Sequence, residues 1–305
     1  MPLVECIPNF SDGRDATVIQ TITDAIASAG VHLLDVSSDA DHNRTVVTFA
    51  GEPDVVAEGA FRGVKAAAEC IDLTAHSGVH PRIGAADVVP FVPLRDISML
   101  ACAELAQTTG QRIASELNLP VFLYEAAAKN TARTNLADIR RGGYERLQAR
   151  MQSDPAMQPD YGPATHGTAG AVVIGAREPL VAYNAYLSTD DVSIAKAIAK
   201  AVRASGGGLP YLKAIGLLVD GRAQVSMNLI DFRQTPLYIV TEAVRTEAAK
   251  HGTIVTETEL VGLVPQQALI DAAIASLGLP DTVRNLILEQ GVGAATGNFQ
   301  QIPFE

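Results

Sequence analysis

The order in which strand-like and helix-like stretches follow one another is the tightest constraint this chain places on its own fold. Leu3–Pro8 is a short β-prone run. Asn9-Phe-Ser-Asp-Gly13 turns into a helix expected over about Arg14–Ser28, where Val18, Ile19, Ile22 and Ile26 share one face. Strands over Val31–Ser37 and Arg44–Ala50 flank a polar loop, Ser38–Asn43. A helix opened by Pro53 runs to about Cys70, and Asp87–Phe91 reads as a short buried strand. The order is β-α-β-β-α-β, a split βαβ or ferredoxin-like arrangement.

The same order returns later. Leu180–Tyr186 is a strand, Asp190–Ala204 a helix with Asp190 as its cap, and Leu212–Val219 and Ala223–Ile230 are strands joined by a tight Asp220-Gly221 turn. A helix from Pro236 to Lys250 and a strand over Thr253–Val261 complete the set. Between the halves lie a helix over Asp96–Asn118, a strand over Val121–Tyr124 and a Pro/Gly-rich connection, Gln152–Gly170, that reads as structureless. Helical patterns at Gln266–Ser276 and Thr282–Glu289 follow, and Gly291–Gly297 reads as a flexible tail. The expected fold class is α/β (α+β), with subdomains over residues 1–176 and 177–305.

Composition narrows the function classes. A net charge of −11 argues against wholesale binding of nucleic acid or anionic membranes, so an anionic ligand needs a local basic cluster. Cys6, Cys70 and Cys102 form no CxxC pair and read as reduced thiols. The first residues lack a basic and an apolar signal region, and no apolar run approaches the roughly 20 residues that span a bilayer. The expectation is a soluble cytoplasmic protein without nucleic-acid or membrane partners.

Residues 72–93 hold the densest chemistry. His76, His80, Arg82, Asp72 and Asp87 surround the helix breakers Gly78, Pro81 and Gly84. His76 and His80 stand four apart, the spacing of two metal ligands on a helix, but Gly78 and Pro81 argue against a helix and no third ligand stands at a standard spacing. The residues therefore read as metal-free: one imidazole in a site as general acid–base, the other beside it. His76 reads equally well as a packed loop residue. Asp87 reads as an orienting carboxylate for His80 or as a strand-entry turn residue. Arg44 and Arg82 suit bidentate carboxylate recognition and equally suit surface ion pairs. Asn9, Asn43 and Asn228 offer side-chain amides near strand ends. Gly206-Gly-Gly208 lacks the P-loop pattern and reads as a helix-ending turn.

His76-Ser-Gly-Val-His-Pro-Arg-Ile-Gly-Ala-Ala-Asp-Val-Val-Pro-Phe91 resembles the signature of the formiminotransferase family. So do Val4-Glu-Cys-Ile-Pro-Asn-Phe-Ser-Asp-Gly13, Asn43-Arg-Thr-Val-Val-Thr-Phe49 and Gln224-Val-Ser-Met-Asn-Leu-Ile-Asp-Phe232. The resemblance implies two ferredoxin-like-related subdomains with facing sheets, helices outside and folate between them. It implies transfer of a formimino group between 5-formiminotetrahydrofolate and glutamate, in histidine breakdown, with tetrahydrofolate as co-substrate and no metal. His80 is the catalytic residue it selects. Gly162, Pro163, Ala164, Thr165, His166, Gly167, Thr168, Ala169 and Gly170 resemble the family's folate-binding stretch. Animal relatives carry an aspartate where Ser37 stands here, so no acidic role is carried to Asp39 or Asp41. The expected form is the transferase alone, as a homodimer. The alternatives are a formyltransferase using 5-formyltetrahydrofolate and a non-catalytic folate- or amino-acid-binding module.

Overall fold

The computed structural model describes residues 1–78 and 81–297. Contacts divide the chain into two compact units, Met1–Pro179 and Leu180–Glu305.

In the first unit β1 (Leu3–Cys6) and β2 (Asn9–Phe10) form one interrupted strand. α1 (Ala16–Ala27) follows, then β3 (His32–Asp39), β4 (Arg44–Gly51), α2 (Pro53–Cys70) and β5 (Ala86–Arg95). The first strand pairs antiparallel with both β4 and β5, and β3 lies outside β4. That is the antiparallel ferredoxin-like sheet the sequence order predicts. α1 starts where the Asp15 carboxylate accepts the N–H groups of Thr17 and Val18. It packs closely on α2, because Gly63 sits where a Cβ would come within 2.8 Å of Ile26 Cγ1.

The sheet then extends past the ferredoxin-like core. α3 (Met99–Leu117) leads into β6 (Val121–Glu125), and β7 (Val172–Ala176) lies parallel between β5 and β6. The sequence pattern missed β7. Its Val-Val-Ile-Gly-Ala run is buried throughout, so it carries no polar alternation to mark a strand. Before it, α4 (Leu136–Arg140) and α5 (Gly143–Ser153) occupy the region where Arg140-Arg-Gly-Gly-Tyr-Glu-Arg146 could hold a short helix, and the Gln152–Gly170 connection is more ordered than expected, with a 3₁₀ turn at Pro155–Met157. Asp160 then pins it to β6, accepting from Leu123 N–H at 2.8 Å and from the buried Arg133 guanidinium at 2.8 Å. α1, α2 and α3 cover one sheet face. α4 and α5 cover the other face at its β5–β7–β6 end, packing Ile139, Leu147 and Met151 on Val88, Phe122 and Val173.

The second unit repeats the order as β8 (Val181–Leu187), α6 (Val192–Val202), β9 (Leu212–Val219), β10 (Arg222–Leu229), α7 (Leu237–Lys250) and β11 (Val255–Val261). Its antiparallel sheet runs β11-β8-β10-β9. Asp220 (φ 49°) and Gly221 (φ 69°) make the expected β9–β10 turn. Asp191 caps α6, accepting from Ser193 N–H, where Asp190 was expected to. Gly207, at φ 86°, closes the turn after α6 as expected. The chain continues through α8 (Gln266–Leu277) and a 3₁₀ segment, Asp281–Leu286, to α9 (Leu288–Thr296). Residues 291–296, expected as a tail, are thus helical: the glycines did not outweigh Leu288, Val292 and the alanines.

Candidate active site

The loop after α2 is shaped by small residues and short hydrogen bonds. Asn43, at φ 48°, ends the β3–β4 turn, and its side chain reaches both ways. Oδ1 accepts from Gly13 N–H at 3.0 Å and Nδ2 donates to Ser77 O at 3.0 Å. Only glycine fits at 78, where a Cβ would meet His42 O at 2.5 Å. Asn43 is therefore a brace between three backbone segments.

His76 is held on both ring nitrogens. Arg82 Nε donates to His76 Nδ1 at 2.7 Å, so the ring proton sits on Nε2, which donates to Asn43 O at 3.1 Å. Burial and the nearby Arg82 hold its pKa below the usual histidine value despite the Asn43 carbonyl. A neutral imidazole with both nitrogens engaged is a positioning residue, and neither nitrogen is open to a metal ion. Among the described residues no three His, Cys, Asp or Glu side chains converge as a metal-binding set. His80 lies outside the described residues.

Arg82 also donates through Nη2 to His76 O at 3.2 Å and to Glu145 Oε1 at 2.9 Å. The same pairing lowers the Glu145 pKa. Asp87 is a hub of the same kind. Its side chain is 3% exposed, Oδ1 accepts from Ile83 N–H at 2.7 Å and Oδ2 pairs with Arg140. It anchors strand entry and α4. Arg44 stands opposite Asp39 in the β3–β4 register. Burial first, then Arg140, lower its pKa to about 10, against the pull of Asp87 and Asp39. Its guanidinium stays charged at neutral pH. Asn9 uses its amide locally, donating to Ile7 O at 3.0 Å.

The loop 72–84 and the segment 162–170 are far apart in sequence and meet in space. Leu73 N–H donates to Thr168 O, Ala85 N–H to Ala169 O and Ala171 N–H to Ile83 O, all within 2.9 Å. Gly84 and Gly170 face each other in an isolated bridge, and a Cβ on either would fall about 2 Å from a backbone oxygen opposite. Gly162, at φ 82°, makes a similar close approach to Leu119 O. α5 holds the rest of the segment: Gln148 Nε2 donates to Ala164 O at 3.2 Å, and Gln148 Oε1 accepts from His166 N–H at 3.1 Å. The His166 ring lies 4.8 Å from the Tyr144 ring. Its Nδ1 is 3.0 Å from Gly167 O, which can only accept, so Nε2 carries the lone pair; Nε2 has no partner among the described residues. Pro163 is half-buried, whereas Thr165, Gly167 and Thr168 are exposed. The structure thus brings Asn43, Arg82 and residues 164–170 into one corner of the first unit, with Arg44 beside Arg140 and Asp87. Asn9 serves the backbone. Sequence reasoning gave no role to Arg140, Tyr144, Glu145 or Gln148. The Gly142-Gly143 pair, both at positive φ, was the available signal that this run makes a sharp turn into a helix.

Family comparisons match both halves of the chain. A formiminotransferase domain, N-terminal subdomain, matches residues 3–177, and a formiminotransferase domain matches 182–277. A glutamate formimidoyltransferase of Thermoplasma acidophilum is 48% identical over 295 residues, covering 95% of this chain and 97% of that protein. One from Streptococcus pyogenes serotype M1 is 46% identical, covering 92% of this chain and 94% of that protein. A mouse formimidoyltransferase-cyclodeaminase is 44% identical over 89% of this chain and 52% of that protein. With both halves matched in order, the chain belongs to the formiminotransferase family.

Proposed function

We propose that this protein transfers the formimino group between 5-formiminotetrahydrofolate and L-glutamate, with tetrahydrofolate as co-substrate. The observation that carries the reading is the 48% identity to a glutamate formimidoyltransferase along nearly the full length of both chains. The amine of glutamate attacks the formimino carbon while a base takes its proton. The tetrahedral intermediate then collapses, the carbon–N5 bond breaks, and N5 leaves after protonation. His80 takes that proton and then delivers it to N5, since an imidazole can do both near neutral pH.

Arg82 and His76 position the loop for this role through their mutual hydrogen bond. Arg44 receives a substrate carboxylate: Arg140 lies near enough to lower its pKa, and two neighbouring guanidiniums favour an anion. Residues 162–170 hold folate through backbone groups and His166 Nε2. Cytoplasmic placement is consistent with the unpaired Cys6 and Cys102, both buried as free thiols. Among the described residues no helix is long and apolar enough to cross a membrane. A homodimer is supported by the edge strand β3, which exposes Leu33, Leu34 and Val36; sedimentation as a monomer would remove that part of the reading.

The test of the activity is direct. Mixed with 5-formiminotetrahydrofolate and glutamate, the protein should produce formiminoglutamate, and the reverse exchange should also run. Absence of exchange in both directions would discard the proposal.

A further inference from the structure

The first turns of α5 touch both loops of the corner. Gln148 holds Ala164 and His166, and Tyr144 and Glu145 hold Arg82. Tyr144 N–H donates to Arg82 O at 2.9 Å, and Glu145 Oε1 accepts from Arg82 Nη2 at 2.9 Å. Gly142 and Gly143, at φ 86° and 67°, turn the chain sharply enough to bring the helix start onto Arg82.

The charge of Arg82 decides what Glu145 does there. The Arg82 side chain is 12% exposed, whereas that of Glu145 is 62% exposed. The His76 ring and the His76 carbonyl that Arg82 also contacts are neutral, so Glu145 is its counter-charge among the described residues. A guanidinium fork serves both partners at once: Nη2 takes the carboxylate while Nε takes the imidazole. Without the carboxylate, the nearly buried guanidinium is drawn out to solvent and His76 Nδ1 loses its donor.

That donor fixes the proton of His76. Arg82 Nε–H points at Nδ1 from 2.7 Å, so a proton on Nδ1 would set two N–H groups against each other beside a second positive charge. Burial disfavours the charged ring and the Asn43 carbonyl of the β3–β4 turn favours it. Arg82, and then Arg14 of the β2–α1 connection, disfavour it against Asp12 of the same connection. Arg82 is the one of these charges that Glu145 pairs with. We infer that Glu145 is a positioning residue for the transfer: through Arg82 it keeps the His76 ring neutral, with its proton directed at Asn43 O, and so holds the loop that leads to His80. The inference rests on the transfer reading above, in which that loop carries the reaction. Because Gln148 lies on the same helix, α5 also sets the loop against the segment that reading assigns to folate.

The test is NMR of the imidazole nitrogens in the full chain, with the His76 signals assigned by their loss in His76→Gln. In the wild type the neutral ring should carry its proton on Nε2 and titrate below 6.5. In Glu145→Gln the midpoint should rise toward 6.5, as it should in Arg82→Gln. Loss of a negative charge that acted on the ring directly would move the midpoint the opposite way. In steady-state assays, kcat of Glu145→Gln relative to wild type should fall by up to about fourfold from about pH 8 to about pH 6, the share of neutral imidazole lost by a group titrating near 6.5. Placing His76→Gln in both proteins should abolish that fall. An unchanged or lowered midpoint in Glu145→Gln, a flat kcat ratio, or a fall that persists with His76 replaced each overturns the inference and leaves the transfer reading intact. A wild type that transfers no formimino group overturns the transfer reading, whereas the NMR titration decides the link from Glu145 to His76 independently.

Discussion

The loop corner of the first unit and the sheet of the second both bury hydrogen-bonding side chains, used in opposite ways. In the corner the central groups, Asp87 and Arg82, are charged and occupied. Asp87 holds Arg140 and Ile83, while Arg82 holds His76 and Glu145. In the sheet, Asn184 on β8 and Gln224 on β10 are buried neutral amides, and Gln224 has no partner in hydrogen-bond geometry among the described residues. The difference follows from desolvation. An unpartnered buried charge costs several kcal/mol, about 3–5 when one member of a buried pair is removed, whereas an unpartnered amide costs only about 1–3. Charges can therefore shape a loop only when they are matched inside the protein. A neutral amide can be left unmatched at smaller cost.

The largest expected effect tests whether the chemistry belongs to the first unit at all. His80→Gln should fold and bind folate but lose about 10²–10⁴-fold in kcat, the worth of a positioned general acid–base. His76→Gln should lose less than about tenfold, because His76 only positions the loop. Near-normal turnover in His80→Gln, followed by steady-state kinetics, would remove the catalytic step from this loop.

Stability separates matched charges that are buried from those that are not. Asp87→Asn keeps an acceptor for Ile83 N–H but breaks the pair with Arg140, and denaturant unfolding should show a loss of about 3 kcal/mol. Arg222→Gln breaks the pair with Glu257, whose side chains are 43% and 59% exposed, and should be hard to distinguish from wild type in the same titration. Equal losses would mean that burial is not what makes the corner rigid.

Two glycines with the same φ of 69° sharpen the contrast further. A Cβ at Gly170 would sit 2.1 Å from Ile83 O, whereas at Gly221 nothing lies within 4 Å. Gly221→Ala bears only the left-handed backbone cost of about 1–2 kcal/mol. Gly170→Ala should cost at least about 1 kcal/mol more and weaken folate binding, since the two loops must separate. Similar thermal shifts in the two variants would sink the view that this bridge holds the loops together.

The smallest effect is a pH slope. Because the folded-state pKa of His76 lies below its ordinary value of 6.5, the unfolded chain binds the proton more readily. The stabilisation is fully present above pH 6.5 and is lost as pH falls through the lower, folded value. Urea midpoints of wild type should therefore decline on acidification from neutral pH more steeply than those of His76→Gln. Parallel slopes would mean that His76 is not held neutral.

Much of the architecture was legible because it is local. The apolar face from Val18 to Ile26, Pro53 at a helix start and Asp220-Gly221 at a turn depend only on neighbours in sequence, and each stands where the pattern put it. β7 was not legible: with every residue buried, Val172–Ala176 differs little from any short apolar run. The candidate site divides in the same way. The motifs around His76 and Gly162 marked which stretches matter, but not that Leu73 and Thr168 would share a hydrogen bond.

By itself the sequence determined the order of elements, the doubled β-α-β-β-α-β pattern and the family, since periodicity, turn chemistry and motifs are written in adjacent residues. Only the tertiary structure decided what those residues do to one another. It turned Asp87 toward Arg140, fixed the tautomer of His76 through Arg82, recruited Tyr144 and Gln148 to the 162–170 segment and left the Gln224 amide open. Each of these outcomes depends on which distant group arrives within about 3 Å of a donor or acceptor. That is set by strand register and packing across the whole unit, and no short stretch of sequence encodes it.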